Sequence, residues 1–380
     1  MPTYDYIIIG AGASGLLLAD AMGNDGFFGD KSILLIDKNL KNQNDRTWCF
    51  WEKGEGQFED ILHQTWPYIH FVSQEISLNQ TIAPYIYKML RGIDFYTHYF
   101  ERIASHQNIT HLQDEILAIQ ENDGSATVQG KNNVYSGRQV FDSRFDYREL
   151  KKQSKFPVLQ QHFLGWFVKT EQPVFDTKTA TFMDFSIPQK RNTRFMYVLP
   201  FSETEALVEY TLFSETVLAK EEYETAIKTY LKNLNAGDYK ILDTEQGNIP
   251  MTCFDFSKGN SDRILKIGIA GGWAKASTGF TFYNSTKKVD KLIEYLKASK
   301  PLSKFPRKNR FWFYDLLFLD VLYQHNHLGS RVFESLFKKR NSQLVLQFLD
   351  EDTSFWEDLK VMWACPKGPF IKALFRRIFT

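Results

Sequence analysis

Glu209 is a carboxylate set inside an apolar run, Ala206-Leu207-Val208-Glu209-Tyr210-Thr211-Leu212-Phe213. Read as a strand, with side chains alternating between faces, the run puts Leu207, Glu209 and Thr211 on one side and Val208, Tyr210 and Leu212 on the other. On a covered face the loss of water disfavours the charged form, so Glu209 would hold a proton and deliver it as a general acid. On a solvated face it is an ordinary surface carboxylate, and alternation alone leaves both readings open.

A second constellation lies at the amino terminus. Tyr4-Asp5-Tyr6-Ile7-Ile8-Ile9 runs into Gly10-Ala11-Gly12-Ala13-Ser14-Gly15 and then into an apolar helical pattern. This strand, turn and helix context is where Gly-x-Gly-x-x-Gly binds a dinucleotide. Gly10 permits the tight turn, Gly12 removes the Cβ that would block a pyrophosphate, and Gly15 lets the helix lie close to the strand. The run Ile33-Leu34-Leu35-Ile36 ends in Asp37, whose carboxylate suits the two hydroxyls of an adenosine ribose and disfavours a 2′-phosphate. In Asn44-Asp45-Arg46-Thr47-Trp48-Cys49-Phe50-Trp51, Arg46 would reach the cofactor phosphates with its planar fork, and Trp48 and Trp51 would wall an apolar cavity. The plainer reading of that stretch is an irregular loop pinned by buried tryptophans.

Near the other end of the same domain, the run from Arg263 to Gly272 reads as a buried strand ending in glycines, with a helix beginning near Thr281. Small residues and amide donors between them suit close approach to the second half of a long cofactor. The leading candidate is FAD, with its adenine end at Gly10 to Asp37 and its isoalloxazine end near Gly272 to Gly279.

The elements that must position these residues give an α/β fold class: a Rossmann-like FAD-binding domain, an antiparallel-sheet substrate domain and a helical C-terminal region. The expected boundaries are 1–75, 101–150 and 260–300 for the first, 76–100 and 151–259 for the second, and 301–380 for the third. The substrate sheet is expected from Phe163–Thr170, Ala180–Phe185, Arg194–Pro200 and Glu205–Phe213, at hairpin-like spacing. Tyr85–Phe100 reads as one helix, 65–84 shows no clean period, Gln139–Arg144 reads as a strand returning to the cofactor domain, and Lys220–Leu234 as a helix.

Composition narrows the class of function. Three widely separated cysteines, Cys49, Cys253 and Cys365, form neither a disulfide framework nor a metal cluster, and no metal site is expected. A formal charge of +1 does not call for a polyanionic partner, and no nucleic-acid binding is expected. The 33 Phe, 18 Tyr and 8 Trp favour a large apolar ligand or a membrane surface. A motif so close to Met1 leaves no room for a signal peptide, and no run of eighteen apolar residues occurs, so a cytoplasmic chain that does not span a bilayer is expected. From Lys297 onward, fifteen Lys and Arg face eight Asp and Glu. The stretch from Trp363 to Phe379 mixes aromatics with Lys367, Lys372, Arg376 and Arg377, as would suit an anionic membrane interface. An ordinary helical cap with basic side chains in water is the competing reading.

Asp45-Arg46-Thr47-Trp48-Cys49-Phe50-Trp51, Phe163-Leu164-Gly165-Trp166, Phe182-Met183-Asp184-Phe185, Tyr197-Val198-Leu199-Pro200, Ala206-Leu207-Val208-Glu209-Tyr210-Thr211 and Ala270-Gly271-Gly272 with Ser277-Thr278-Gly279 resemble, in this order, the bacterial lycopene β-cyclases. The resemblance implies a flavoprotein peripheral to the cytoplasmic membrane. It implies an intramolecular lyase that closes the linear ends of lycopene into β-ionone rings, through γ-carotene to β-carotene. Reduced FAD is then used without net consumption, and NAD(P)H serves as reductant. It further implies Glu209 as the catalytic glutamate, Gly271, Gly272, Thr278 and Gly279 as cofactor contacts beside those above, and Trp48, Trp166, Phe182, Asp184 and Tyr210 as substrate contacts. Tyr210 departs from the acidic residue often found after that glutamate, so a carboxylate pair at adjacent positions is not expected. A flavin-dependent monooxygenase of an apolar substrate and a non-catalytic, membrane-associated flavoprotein are the alternatives.

Overall fold

The computed structural model describes residues 1–305 and 308–379; Pro306, Arg307 and Thr380, within the expected C-terminal region, lie outside them. The strand Thr3–Ile9 lies between Ile33–Asp37 and Val134–Asp142 and runs parallel to both. Ile109–Gln113 and the short strand Ile264–Lys266 add parallel partners on the two sides. Ser125–Gly130 and Ile116–Asn122 extend this sheet antiparallel. Ile7, Ile8, Leu34 and Leu35 are fully buried, as the near-continuous apolar runs of a sheet covered on both faces require. The helices Ala13–Asn24 and Phe282–Lys297 pack over one face through Leu16, Leu18, Val289 and Leu292.

A second seven-stranded sheet has the order Tyr239–Met251, Leu159–Thr170, Glu205–Ser214, Thr193–Pro200, Thr179–Asp184, Tyr68–Val72, Ser77–Thr81. It is antiparallel except where Thr179–Asp184 runs parallel to Tyr68–Val72. The expected boundary at residue 75 therefore falls inside this sheet. The helix Lys220–Asn233 covers one face through Tyr223, Ile227 and Leu231, against Val208, Tyr210 and Leu212. A small third sheet, Thr47–Lys53, Tyr85–Arg91 and Gln64–Trp66, stands against the other face. Beyond it the helices Arg310–His325, Gly329–Lys339, Ser342–Leu349, Phe355–Ala364 and Lys367–Phe379 form the C-terminal region. Among the described residues, no helix is long and apolar enough to cross a membrane.

Three expected elements differ. Tyr85–Phe100 is not one helix: Tyr85–Arg91 is a strand, and the helix Gly92–Ala104 starts after it. Tyr85, Tyr87 and Met89 alternate along that strand and are all buried, so tertiary burial of one face overrides the helical pattern. In the stretch Asn44 to Trp51 the plainer reading of an irregular loop holds only through Arg46, because Thr47–Lys53 is a strand paired antiparallel with Tyr85–Arg91. The run from Arg263 to Gly272 holds only a three-residue strand, followed by a 3-10 turn over Gly268–Gly271 that Gly272 ends at φ +70°.

Candidate active site

The amino-terminal turn is shaped by contacts only glycine tolerates. A Cβ on Gly10, at φ +98°, would stand 2.0 Å from Ser143 Oγ, and one on Gly15 would stand 1.9 Å from the Gly10 carbonyl oxygen. A Cβ on Gly12 would instead project into open space, with no atom within 4 Å. That space belongs to a cavity of about 510 Å³ that reaches from Gly12 to the second sheet. Asp37 sits at the end of its strand beside the turn and accepts hydrogen bonds from the N–H groups of Ala11 at 2.6 Å and Asn39 at 2.7 Å. Arg46 lines the same cavity.

Thr278 and Gly279 line the far side of the cavity, whereas Gly271 and Gly272 do not. A Cβ on Gly271 would strike the Lys266 carbonyl at 2.3 Å, so these two glycines shape the preceding turn. Thr278 Oγ1 and Gln161 Oε1, both on the cavity wall, are buried without a hydrogen-bond partner. Buried polar atoms are rarely left so unless a ligand or water meets them. An open approach to Gly12, a helix N-terminus behind it and unpaired polar atoms at the opposite end fit a long, two-headed cofactor such as FAD.

The second sheet contributes a row of polar side chains along the cavity. Register places Glu209 beside Tyr197 on one side and Gly165 on the other, and Gly165 in turn opposite Glu245. Directly paired residues share a face, so Glu245, Glu209 and Tyr197 all point toward the cavity they line. The Tyr197 hydroxyl meets that of Tyr87 at 2.6 Å, with the Cys49 thiol close to both. Burial, then the charge of Glu245, pushes the Glu209 carboxyl well above the ordinary glutamate range. Burial also raises Glu245, against the pull of two hydrogen bonds from the Thr47 N–H and hydroxyl and the charge of Arg46. Burial drives the thiol of Cys49 and the hydroxyls of Tyr87 and Tyr197 upward, so they stay neutral.

Of the residues expected to contact substrate, Trp48 and Phe182 line the cavity. Trp48 stacks on Phe282 with ring centroids 5.1 Å apart, and Phe182 lies parallel to Phe280 at 6.3 Å. Trp166, Asp184 and Tyr210 do not line it. Tyr210 follows Glu209 and Trp166 follows Gly165, so both point to the opposite face, under the helix Lys220–Asn233. The Tyr210 hydroxyl accepts from Arg194 at 2.8 Å, and Lys228 stands over the Trp166 ring at 5.8 Å. Asp184 accepts from the Tyr230 hydroxyl at 2.9 Å and the Ser186 N–H at 2.9 Å. Glu245, Thr47, Tyr87 and Gly165 escaped sequence reasoning as site residues. Alternation extended from Tyr239 would have put Glu245 on the helix-covered face with Tyr239, and it is the register shift opposite Phe167 and Val168 that turns it to the cavity.

A smaller, apolar cavity of about 80 Å³ lies under the C-terminal helices and shares Thr278 with the main one. On the outside of those helices Trp356, Trp363, Phe375 and Phe379 are 73%, 69%, 56% and 78% exposed. Lys367 lies over the Trp363 ring at 3.7 Å. Arg377 departs from the expected basic surface, because its guanidinium donates to both Asp320 carboxylate oxygens at 2.7 and 2.6 Å.

A family model described as lycopene cyclase protein matches residues 5–375. The chain is 24% identical over 305 residues to a lycopene beta-cyclase of Pantoea ananas, covering 77% of this chain and 74% of that protein. In fold it is similar to the p-nitrophenol 4-monooxygenase of Pseudomonas putida, with a TM-score of 0.60 at 13% identity over 98% of both chains. It is also similar to a halogenase solved in complex with FAD, with a TM-score of 0.60 at 12% identity over 98% of this chain and 90% of that one.

Proposed function

The chain belongs to the lycopene cyclase family, and from that premise we propose that it is a lycopene β-cyclase, closing the linear ends of lycopene into β-ionone rings without net redox change. The observation that carries the reading is Glu209: a carboxyl 7% exposed, on the wall of an aromatic-lined cavity, held protonated by burial and a neighbouring carboxylate. Such a group can give a proton to an alkene, which no exposed carboxylate at neutral pH can do. The proton leaves the Glu209 carboxyl for a terminal double bond, and a tertiary carbocation forms at the substituted carbon. The next double bond attacks it, closing a six-membered ring, and loss of a ring proton to Glu209 restores both the acid and the alkene. The faces of Trp48 and Phe182 exclude water and favour the positive charge. Tyr197 and Tyr87, neutral and mutually hydrogen bonded, keep the polar side of the cavity ordered around Glu209.

In this reading the parallel sheet is a Rossmann-like FAD site, with Gly10, Gly12 and Gly15 at the pyrophosphate, Asp37 at the ribose, Arg46 at the phosphates, and Thr278 and Gly279 at the ring end. Bound FAD in its reduced form, maintained by NAD(P)H, would supply negative charge beside the forming cation. The exposed aromatics of the last two helices, with Lys360, Lys367, Lys372 and Arg376, would seat the protein on the cytoplasmic membrane that dissolves its substrate. Cosedimentation with anionic vesicles, weakened by salt, checks that orientation.

Anaerobic incubation with reduced FAD and lycopene is the test of the function. Cyclic product without oxygen and without stoichiometric reductant use is expected. A strict need for oxygen would assign the protein to the monooxygenases instead, and binding of flavin and lycopene with no turnover would make it a non-catalytic flavoprotein.

A further inference from the structure

We propose that Glu245 is a positioning residue for the acid of this reaction: it stands across Gly165 as a fixed carboxylate, so that the two glutamates share one proton and that proton resides on Glu209. The inference takes its chemistry from the cyclase reading and its geometry from the sheet alone.

The two glutamates belong to strands that do not touch. The strand Leu159–Thr170 runs between them, which sets their backbones about 10 Å apart. Any side chain at the position between would separate them. Gly165 is there instead, and a Cβ on it would stand 2.6 Å from Glu209 Cγ and 3.2 Å from Glu209 Oε1. Glu209 therefore lies over Gly165, leaning along the sheet toward Glu245. The missing side chain leaves the space between the two strands' glutamates to Glu209.

Their surroundings differ in a way that assigns the proton. Facing Glu245 are Thr47, which donates both its N–H and its hydroxyl, and the charges of Arg46 and Asp45. Facing Glu209 are Glu245, Tyr197 and, through the small sheet, Tyr87 and Cys49, all but the first neutral. Donors stabilise the anion on the half-buried Glu245, and a second negative charge on the buried Glu209 beside it is disfavoured. The pair thus enters the reaction with one proton, gives it from Glu209 to the substrate alkene and receives one back from the closed ring. In the interval when both carboxyls lack it, the negative charge faces the carbocation.

Infrared titration of the carboxyl C=O band in the flavin-loaded protein, alongside the pH profile of cyclisation, tests this. The parent should show a protonated carboxyl persisting above the ordinary glutamate range, absent from Glu209→Gln. In Glu245→Gln that band should titrate about one unit lower, and the alkaline limb of cyclisation should move acidward with it. Glu245→Asp, which keeps the charge, should restore most of the parent position. An unmoved band and limb in a folded Glu245→Gln protein would overturn the proposal. Should that variant not fold, Glu245→Met removes the charge with an apolar side chain of similar length, and its band and limb are held to the same two outcomes. The infrared readout holds even if lycopene is not the substrate, so failure of the pair and failure of the cyclase reading are separately visible.

Discussion

Lys275, Asp315 and Glu351 form a group of mixed sign around a buried lysine, whereas the buried Glu209 and the half-buried Glu245 form a pair of one sign. The Lys275 ammonium donates to both Asp315 oxygens at 3.1 Å and to Glu351 at 3.2 Å, and only 3% of the lysine is exposed. It stands in the loop that carries Thr278 and Gly279, and its partners belong to the C-terminal region, Asp315 in the helix Arg310–His325 and Glu351 in the turn after Ser342–Leu349, so the group ties the cavity wall to that region. Burial lowers the proton affinity of Lys275, but the two carboxylates outweigh it and its pKa ends above the ordinary value. At Glu209 nothing opposes burial, since the neighbouring charge has the same sign. Lys275 and Glu209 are both buried. Compensated charge anchors the fold, and uncompensated charge stores a proton.

The first way to break this contrast is Glu209→Gln. It keeps size and hydrogen-bonding atoms but cannot cycle a proton, so conversion of lycopene should fall by about 10²- to 10⁴-fold. Flavin occupancy, read from the visible spectrum, should be retained. A folded, flavin-loaded Glu209→Gln protein that cyclises normally would falsify the acid role.

Lys275→Met attacks the other side. Removing the cation leaves the buried Asp315 and the half-buried Glu351 without their partner, at an expected cost of about 3–5 kcal/mol. Denaturant unfolding of parent and variant measures it. A loss below about 1 kcal/mol would mean that the group is not an anchor and that the contrast with the glutamates fails.

Gly165→Ala sharpens the comparison at the level of position. The new methyl group occupies the space over which Glu209 leans, so the carboxyl must swing away, and conversion should drop by roughly tenfold, about 1.4 kcal/mol in barrier. Unchanged turnover at unchanged stability would show that the approach of the two carboxyls does not matter.

How far these features were legible in the chain follows from their range. The turn at Gly10 to Gly15 and the run ending at Asp37 were legible because strand, turn and helix are consecutive. The alternation around Glu209 was legible too: Thr211 shares its cavity wall, while Val208 and Leu212 face the helix. The same alternation sends Tyr210 and Trp166 away from the cavity, a consequence that motif similarity hid by treating neighbours in sequence as neighbours in space. Glu245 was out of reach because its tie to Glu209 runs through register across an intervening strand, which no local pattern encodes. Tyr85–Arg91 was misread as helical because its aromatics fit either period until a partner strand is known.

The smallest expected effect is on stability against pH, and it separates the two groups by sign. Burial and Glu245 raise the pKa of Glu209 in the folded protein, while in the unfolded chain it titrates near the ordinary value of about 4.3. Below that value the protonated acid contributes its full stability. As pH rises through the folded pKa the contribution is lost, because the unfolded chain binds fewer protons than the native one. Glu209→Gln removes that penalty, so it should be the more stable protein toward neutral and alkaline pH, by roughly 0.5–2 kcal/mol, while being nearly inactive. Lys275→Met should run the other way. Its deficit is full where Asp315 and Glu351 are ionised and shrinks as acid protonates them, since neutral carboxyls no longer miss the cation. Thermal unfolding of the parent and both variants between about pH 5 and pH 9 reads both slopes. If Glu209→Gln were instead less stable than the parent across that range, Glu209 would be an ordinary satisfied residue of the sheet, and the distinction between an anchoring and a proton-storing buried charge would not hold in this molecule.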